Sequence, residues 1–209
     1  CISFPQAKPQ ENVSLGKSLG LLKYPALIAF SFVLFFQSGF EGASGSFTVS
    51  FLDKSAGMDN AAATLSMTWF TLGMMAGRLP LGAIMKRLKD LGTLYLYLTV
   101  ALIGVVLFYL FSNEVAIVYL AMTLIGFGVG ATFPVVLNYI GGAFRELSGT
   151  AFSIALFIAL CGQSAFNKLT GLAFDDGNYQ LLPLMLILAV LAIMVLVPLA
   201  VSTAKKMNK

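Results

Sequence analysis

Gln37, Glu41, Ser44 and Thr48 follow one another at intervals of four, three and four within an otherwise apolar run. At 100° per residue they fall in a stripe about 60° wide on one helix face. Phe35, Phe36, Phe40 and Phe47 surround that stripe. An ionised carboxylate near mid-membrane costs about 3 kcal/mol on insertion scales. Such a group faces either a water-filled cavity or a packed interface whose hydrogen bonds satisfy it. An apolar setting penalises the charged form of an acid. Glu41 therefore has the chemistry to take up and release a proton, or to accept a hydrogen bond from a ligand hydroxyl.

Neutral hydrogen-bonding groups stand in two further apolar runs. Thr123, Gly126, Gly130, Pro134 and Asn138 share one helical face, small and flexible, that ends in an amide. Pro134 removes one backbone hydrogen bond and should bend its helix. Gln163 and Asn167 are four apart and can bind one polar ligand together, while Lys168 is placed to snorkel to the headgroups. The string Gly126-Phe127-Gly128-Val129-Gly130 does not read as a phosphate cradle, which needs a strand before it and a helix N-terminus after it, because it sits within a continuous apolar run. Gly39, Gly42 and Gly45 interleave with the Glu41 stripe, and Gly73 and Gly77 have GxxxG spacing. Glycines so placed allow either close helix approach or local bending.

Other chemistry is excluded by what the chain lacks. It has no histidine and only two cysteines, Cys1 and Cys161, far apart. A His–Cys metal site and a Cys–His catalytic pair are both ruled out. Cys161 lies in an apolar run and reads as a small buried thiol. No catalytic residue, metal or cofactor is expected, and the chain does not read as an enzyme.

The elements that must position these groups are membrane helices. Of the 209 residues 58% are hydrophobic and 11% charged, against about 45–50% and 25% in soluble globular chains. Mean hydropathy is +0.89. A soluble domain or a nucleic-acid partner does not fit that balance. A crossing helix needs about 20 mostly apolar residues, and six runs qualify: 24–51, 61–85, 91–112, 115–144, 148–174 and 181–202. Polar segments separate them, among them Lys86-Arg87-Leu88-Lys89-Asp90 and Asp175-Asp176-Gly177-Asn178. The third and sixth runs carry few interior polar residues and read as lipid-facing supports.

Charge placement tests the count. With six spans, both termini share a side with the second and fourth loops. That side holds Lys8, Lys17, Lys23, Arg78, Lys86, Arg87, Lys89, Arg145, Lys205, Lys206 and Lys209, leaving only Lys54 and Lys168 of the thirteen cations for the other. The positive-inside rule makes the cationic side cytoplasmic. The first twenty residues lack an apolar core and do not read as a signal peptide. Starting at Cys1, the chain reads as part of something longer.

Gly77-Arg78-x-x-x-Gly82-x-x-x-x-Arg87 resembles the cytoplasmic loop signature of the major facilitator superfamily. Gly126 to Pro134 followed by Arg145 and Gly149-Thr150-Ala151 is similar to that superfamily's tenth helix and the loop after it. Gln37 to Phe47 resembles the seventh helix of its fucose-permease-like sugar branch. There are departures: Lys86 stands where the signature has an acid, and Asn167-Lys168 where many relatives have a proline pair.

The resemblance implies an all-α membrane protein whose six transmembrane helices form one half of a twelve-helix fold. Residues 1–22 would be a central-loop segment, 23–204 the bundle and 205–209 a cytoplasmic tail. The implied function is proton-coupled alternating access for a small polar solute, with a sugar as the expected class. A drug or metabolite exporter and a non-transporting scaffold module remain as alternatives. Expected solute contacts are Gln37, Glu41, Ser44, Asn138, Gln163 and Asn167, with Glu41 as the proton site. Gly77, Arg78, Gly82 and Arg87 would form a gating loop. Expected partners are the solute, protons, the bilayer and a missing N-terminal half or a second copy, in a bacterial inner membrane with both termini cytoplasmic.

Overall fold

The computed structural model describes residues 20–207, with side chains as far as Lys205. Lys8, Lys17, Lys209, Cys1, the Lys206 side chain and most of the 1–22 segment lie outside the described residues. Seven helices follow in order: α1 (Pro25–Ala56), α2 (Asn60–Arg78), α3 (Leu81–Leu110), α4 (Val115–Val129), α5 (Thr132–Ala143), α6 (Ser148–Asp175) and α7 (Leu181–Met207). No strand occurs among the described residues. Five helical segments are long and apolar enough to cross a bilayer: Pro25–Ala56, Leu81–Leu110, Val115–Ala143, Arg145–Asp175 and Leu181–Lys205. The exception, α2, is shorter and carries Asn60, Thr64, Ser66, Thr68 and Thr71.

Local chemistry sets the ends. Pro25 opens α1, where its missing amide donor costs nothing. Gly57 closes it in the left-handed region at φ 63°. Asp59 then caps α2 by accepting from the Ala61 amide at 3.1 Å.

Contact pairs fix the relative directions. Phe35 meets Phe166 and Phe47 meets Phe174, so α1 and α6 run parallel. Trp69 stacks on Tyr119, and Gly77 abuts the Phe127 backbone, so α2 and α4 are also parallel. Tyr24 meets Phe144 and Phe30 stacks on Tyr139, which makes α5 antiparallel to α1. Gly104 packs on Ala121 and Gly128 on Ala101, so α3 opposes α4. These pairings are those of six alternating spans, with α4 and α5 sharing the fourth. Lys23, Arg78, Lys86, Arg87, Lys89, Arg145 and Lys205 fall toward one side, and Lys54 and Lys168 toward the other.

Three expectations change. The second span does not run unbroken to residue 85: α2 ends at Arg78, and Leu79-Pro80 turn into α3. The Lys86–Asp90 segment is not a loop either. It is largely helical and interrupted only at Lys89, whose φ of 58° and ψ of 171° turn the chain into the third span. Third, the Cys161 thiol is exposed on the outer face of α6 rather than buried. The sixth span is two-sided: Leu182, Leu186, Val190 and Ile193 are buried, whereas Leu188 and Val195 point outward.

Candidate functional site

Glycine brings the helices of the site together. An added Cβ at Gly42 would lie 2.5 Å from Gln163 Cγ and 3.3 Å from Asn167 Oδ1, so α6 carries both amides to the middle of α1. At Gly39 the neighbour is the Phe166 ring. Gly73 and Gly77 of α2 lie against the backbone of Thr123 and Phe127, while Gly126 lies against Phe70 and Gly130 against Met74. Gly126 and Gly130 of the fourth span are therefore a packing face toward α2, and Gly128 packs on α3.

A hollow of about 230 Å³ lies beside α1 and α6, lined by Ser38, Glu41, Gly42, Gly45, Ser46 and Gln163. Its opening falls where Gly45 and Ser46 are exposed. The polar stripe is oriented differently from this opening. Gln37, Ser44 and Thr48 are fully buried in the bundle, and only Glu41, at the stripe's edge, reaches the hollow. The reason is size: glycine and serine at 38, 42, 45 and 46 leave space on a face roughly a third of a turn around the helix.

Two sets of polar bonds reach adjacent carbonyls in the middle of the fourth span. Gln37 Nε2 donates to Glu41 Oε1 at 2.9 Å and to the Val129 carbonyl at 3.1 Å. Arg78 Nε donates to the Gly130 carbonyl at 3.2 Å. Both carbonyls belong to the interruption between α4 and α5, midway along Val115–Ala143. Arg78 is exposed, yet its guanidinium is tied to the fourth span. Five buried oxygens have no protein partner: Gln37 Oε1, Ser44 Oγ, Thr48 Oγ1, Thr132 Oγ1 and Asn167 Oδ1. A group of three or more metal-ligating side chains is absent among the described residues.

Of the residues singled out from the sequence, the structure brings together Gln37, Glu41, Gln163 and Asn167. Ser44 is buried away from the hollow, and Asn138 shares the exposed face of α5 with Pro134 and Gly142. Gly77 and Arg78 form the last turn of α2 and are packed against the fourth span. Gly82 has open space around it, and Arg87 is exposed on the helical stretch that follows. Those four positions do not form one loop. Sequence reasoning missed Ser38 and Ser46 as lining residues and the bond from the exposed Arg78 side chain to the fourth span. The signal for Arg78 was present, since Pro134 leaves the Gly130 carbonyl needing another donor.

The model for the Major Facilitator Superfamily matches residues 7–208. The chain belongs to that superfamily. It is accordingly an integral membrane protein of a transporter family, and its helices form an all-α bundle consistent with a six-helix half of that fold. None of the curated proteins matches the chain significantly.

Proposed function

We propose that this chain is the C-terminal half of a secondary transporter that moves a small polar solute, of the sugar class, coupled to protons. The observation that carries the reading is the Glu41 carboxylate: it lines a hollow faced by Gln163 and is bonded to Gln37, which in turn holds the fourth span. A protonatable group and neutral amides around one small space suit a polyhydroxylated ligand. The unpartnered Asn167 Oδ1 beside Gly42 adds an acceptor for a solute hydroxyl. Because the hollow opens outward and lipid cannot hydrogen-bond its lining, a second six-helix unit covers it. That unit is an N-terminal half or a second copy. The cationic side faces the cytoplasm by the positive-inside rule, which places both termini there and suits a bacterial inner membrane.

The test is Glu41→Gln in the full-length protein, which keeps shape and removes the ionisable group. Concentrative uptake should be lost while solute exchange down a gradient persists. Gln37 is the polar group bonded to Glu41, so its variants serve as comparisons for the pH profile. Uptake with unchanged accumulation and unchanged pH dependence in Glu41→Gln would make the residue structural and remove the basis of the reading.

A further inference from the structure

Pro134 has no amide hydrogen, so the carbonyl four residues earlier, that of Gly130, has no donor within its own helix. The backbone there has not changed direction: Gly130 (φ −59°, ψ −28°) and Ala131 (φ −90°, ψ −28°) both remain right-handed helical. What lapses is the hydrogen bonding. A carbonyl left bare in a membrane interior is costly, and here its donor comes from another helix, as Arg78 Nε at 3.2 Å. That reach depends on the glycine contacts between α2 and α4, because a Cβ at Gly130 would stand 3.0 Å from the Met74 carbonyl oxygen. One residue earlier, the Val129 carbonyl accepts from Gln37.

We propose that Arg78 is a positioning residue for the fourth span, supplying the donor that Pro134 withholds and so holding the interruption in one geometry. Gln37 holds the adjacent carbonyl and ties the interruption to Glu41. This last link rests on the reading of Glu41 given above; the role of Arg78 does not. A side-chain donor can leave and return without unwinding the helix. The fourth span therefore has two hydrogen-bonding states at this point, and Arg78 sets the balance between them.

The relation between Arg78 and Pro134 makes the test. In the purified full-length protein, Arg78→Gln should speed hydrogen exchange across 127–138 by roughly tenfold, the scale of one lost charge-assisted bond. Pro134→Ala restores a backbone donor to the Gly130 carbonyl. In that background Arg78→Gln should change exchange by less than about twofold, because two changes that act on one acceptor do not add. Uptake measured in parallel should fall in the single arginine variant and recover in the double variant. Should Arg78→Gln fail to fold, recovery of a folded protein by Pro134→Ala reports the same coupling. An arginine variant equally impaired with and without Pro134→Ala would overturn the proposal. Exchange data showing coupling, beside a Glu41→Gln variant with normal accumulation, would retain the role of Arg78 and discard that of Glu41.

Discussion

Gly126→Ala tests the closest of the glycine contacts among the described residues. The new Cβ would fall inside the contact shell of the Phe70 carbonyl oxygen, 2.9 Å from Phe70 C and 3.0 Å from Met74 N. All three are backbone atoms, so no rotamer change can make room. Carbon atoms rest at about 3.5–4.0 Å, and the shortfall at Phe70 C alone forces α2 and α4 apart by roughly 0.6–1.1 Å. Overpacking of this kind costs about 1–3 kcal/mol. The upper part of that range applies, because separation also loosens Gly73 against Thr123 and Gly77 against Phe127. Alanine's better helix propensity returns up to about 1 kcal/mol, leaving a net loss of about 2 kcal/mol. Gly142→Ala is the control, since its Cβ meets nothing within 4 Å on a helix of the same span. Equilibrium unfolding in mixed detergent–SDS micelles should show the first variant destabilised and the second unchanged or slightly more stable. Equal stability of the two variants would refute the argument that these backbones are in contact.

Two further substitutions separate side-chain from backbone constraints. Gly42→Ala meets the Gln163 side chain, which can rotate away. Its stability cost should stay under about 1 kcal/mol, while displacement of Gln163 from the hollow raises the KM for solute uptake several-fold; uptake kinetics beside a melting curve check both. Lys89→Gly should stabilise the protein by about 1 kcal/mol, because φ 58° with ψ 171° is a region that essentially only glycine occupies without strain; thermal unfolding measures it.

The spans were legible because long apolar runs and polar punctuation report directly on the bilayer. Boundaries failed where helix continues outside the membrane, as in 81–88, since hydropathy marks where lipid ends and not where a helix does. Periodicity grouped Gln37, Glu41, Ser44 and Thr48 correctly on one face, but it could not say which face meets a cavity. That depends on neighbours: α1 buries three of the four and leaves the glycine–serine face open. The same limit applies to Gly126 and Gly130. A small-residue face is equally suited to a cavity or a helix, and only the matching glycines of α2 decide for packing. The bond made by Arg78 was not foreseen because a cation near a span's end ordinarily snorkels, whereas here the side chain, although exposed, also donates to a backbone carbonyl of the fourth span.

These two kinds of constraint divide the bundle into parts that resist motion and one that permits it. Between α1 and α6, and between α2 and α4, backbone packs against backbone or ring through glycine, with little slack for sliding. Such contacts move as blocks, because interiors at close-packed density repack in discrete steps and do not deform smoothly. At the adjacent carbonyls of Val129 and Gly130 the donors are instead Gln37 and Arg78, each from a different helix. Exchanging a side-chain donor for another polar partner costs far less than unwinding a ladder within lipid. The fourth span is thus the cheapest place in the bundle for α1 and α2 to change their relation. Glu41 sits two hydrogen bonds from it, through Gln37. A proton or a solute hydroxyl arriving at that carboxylate competes for the Gln37 amide, and the same amide holds the span.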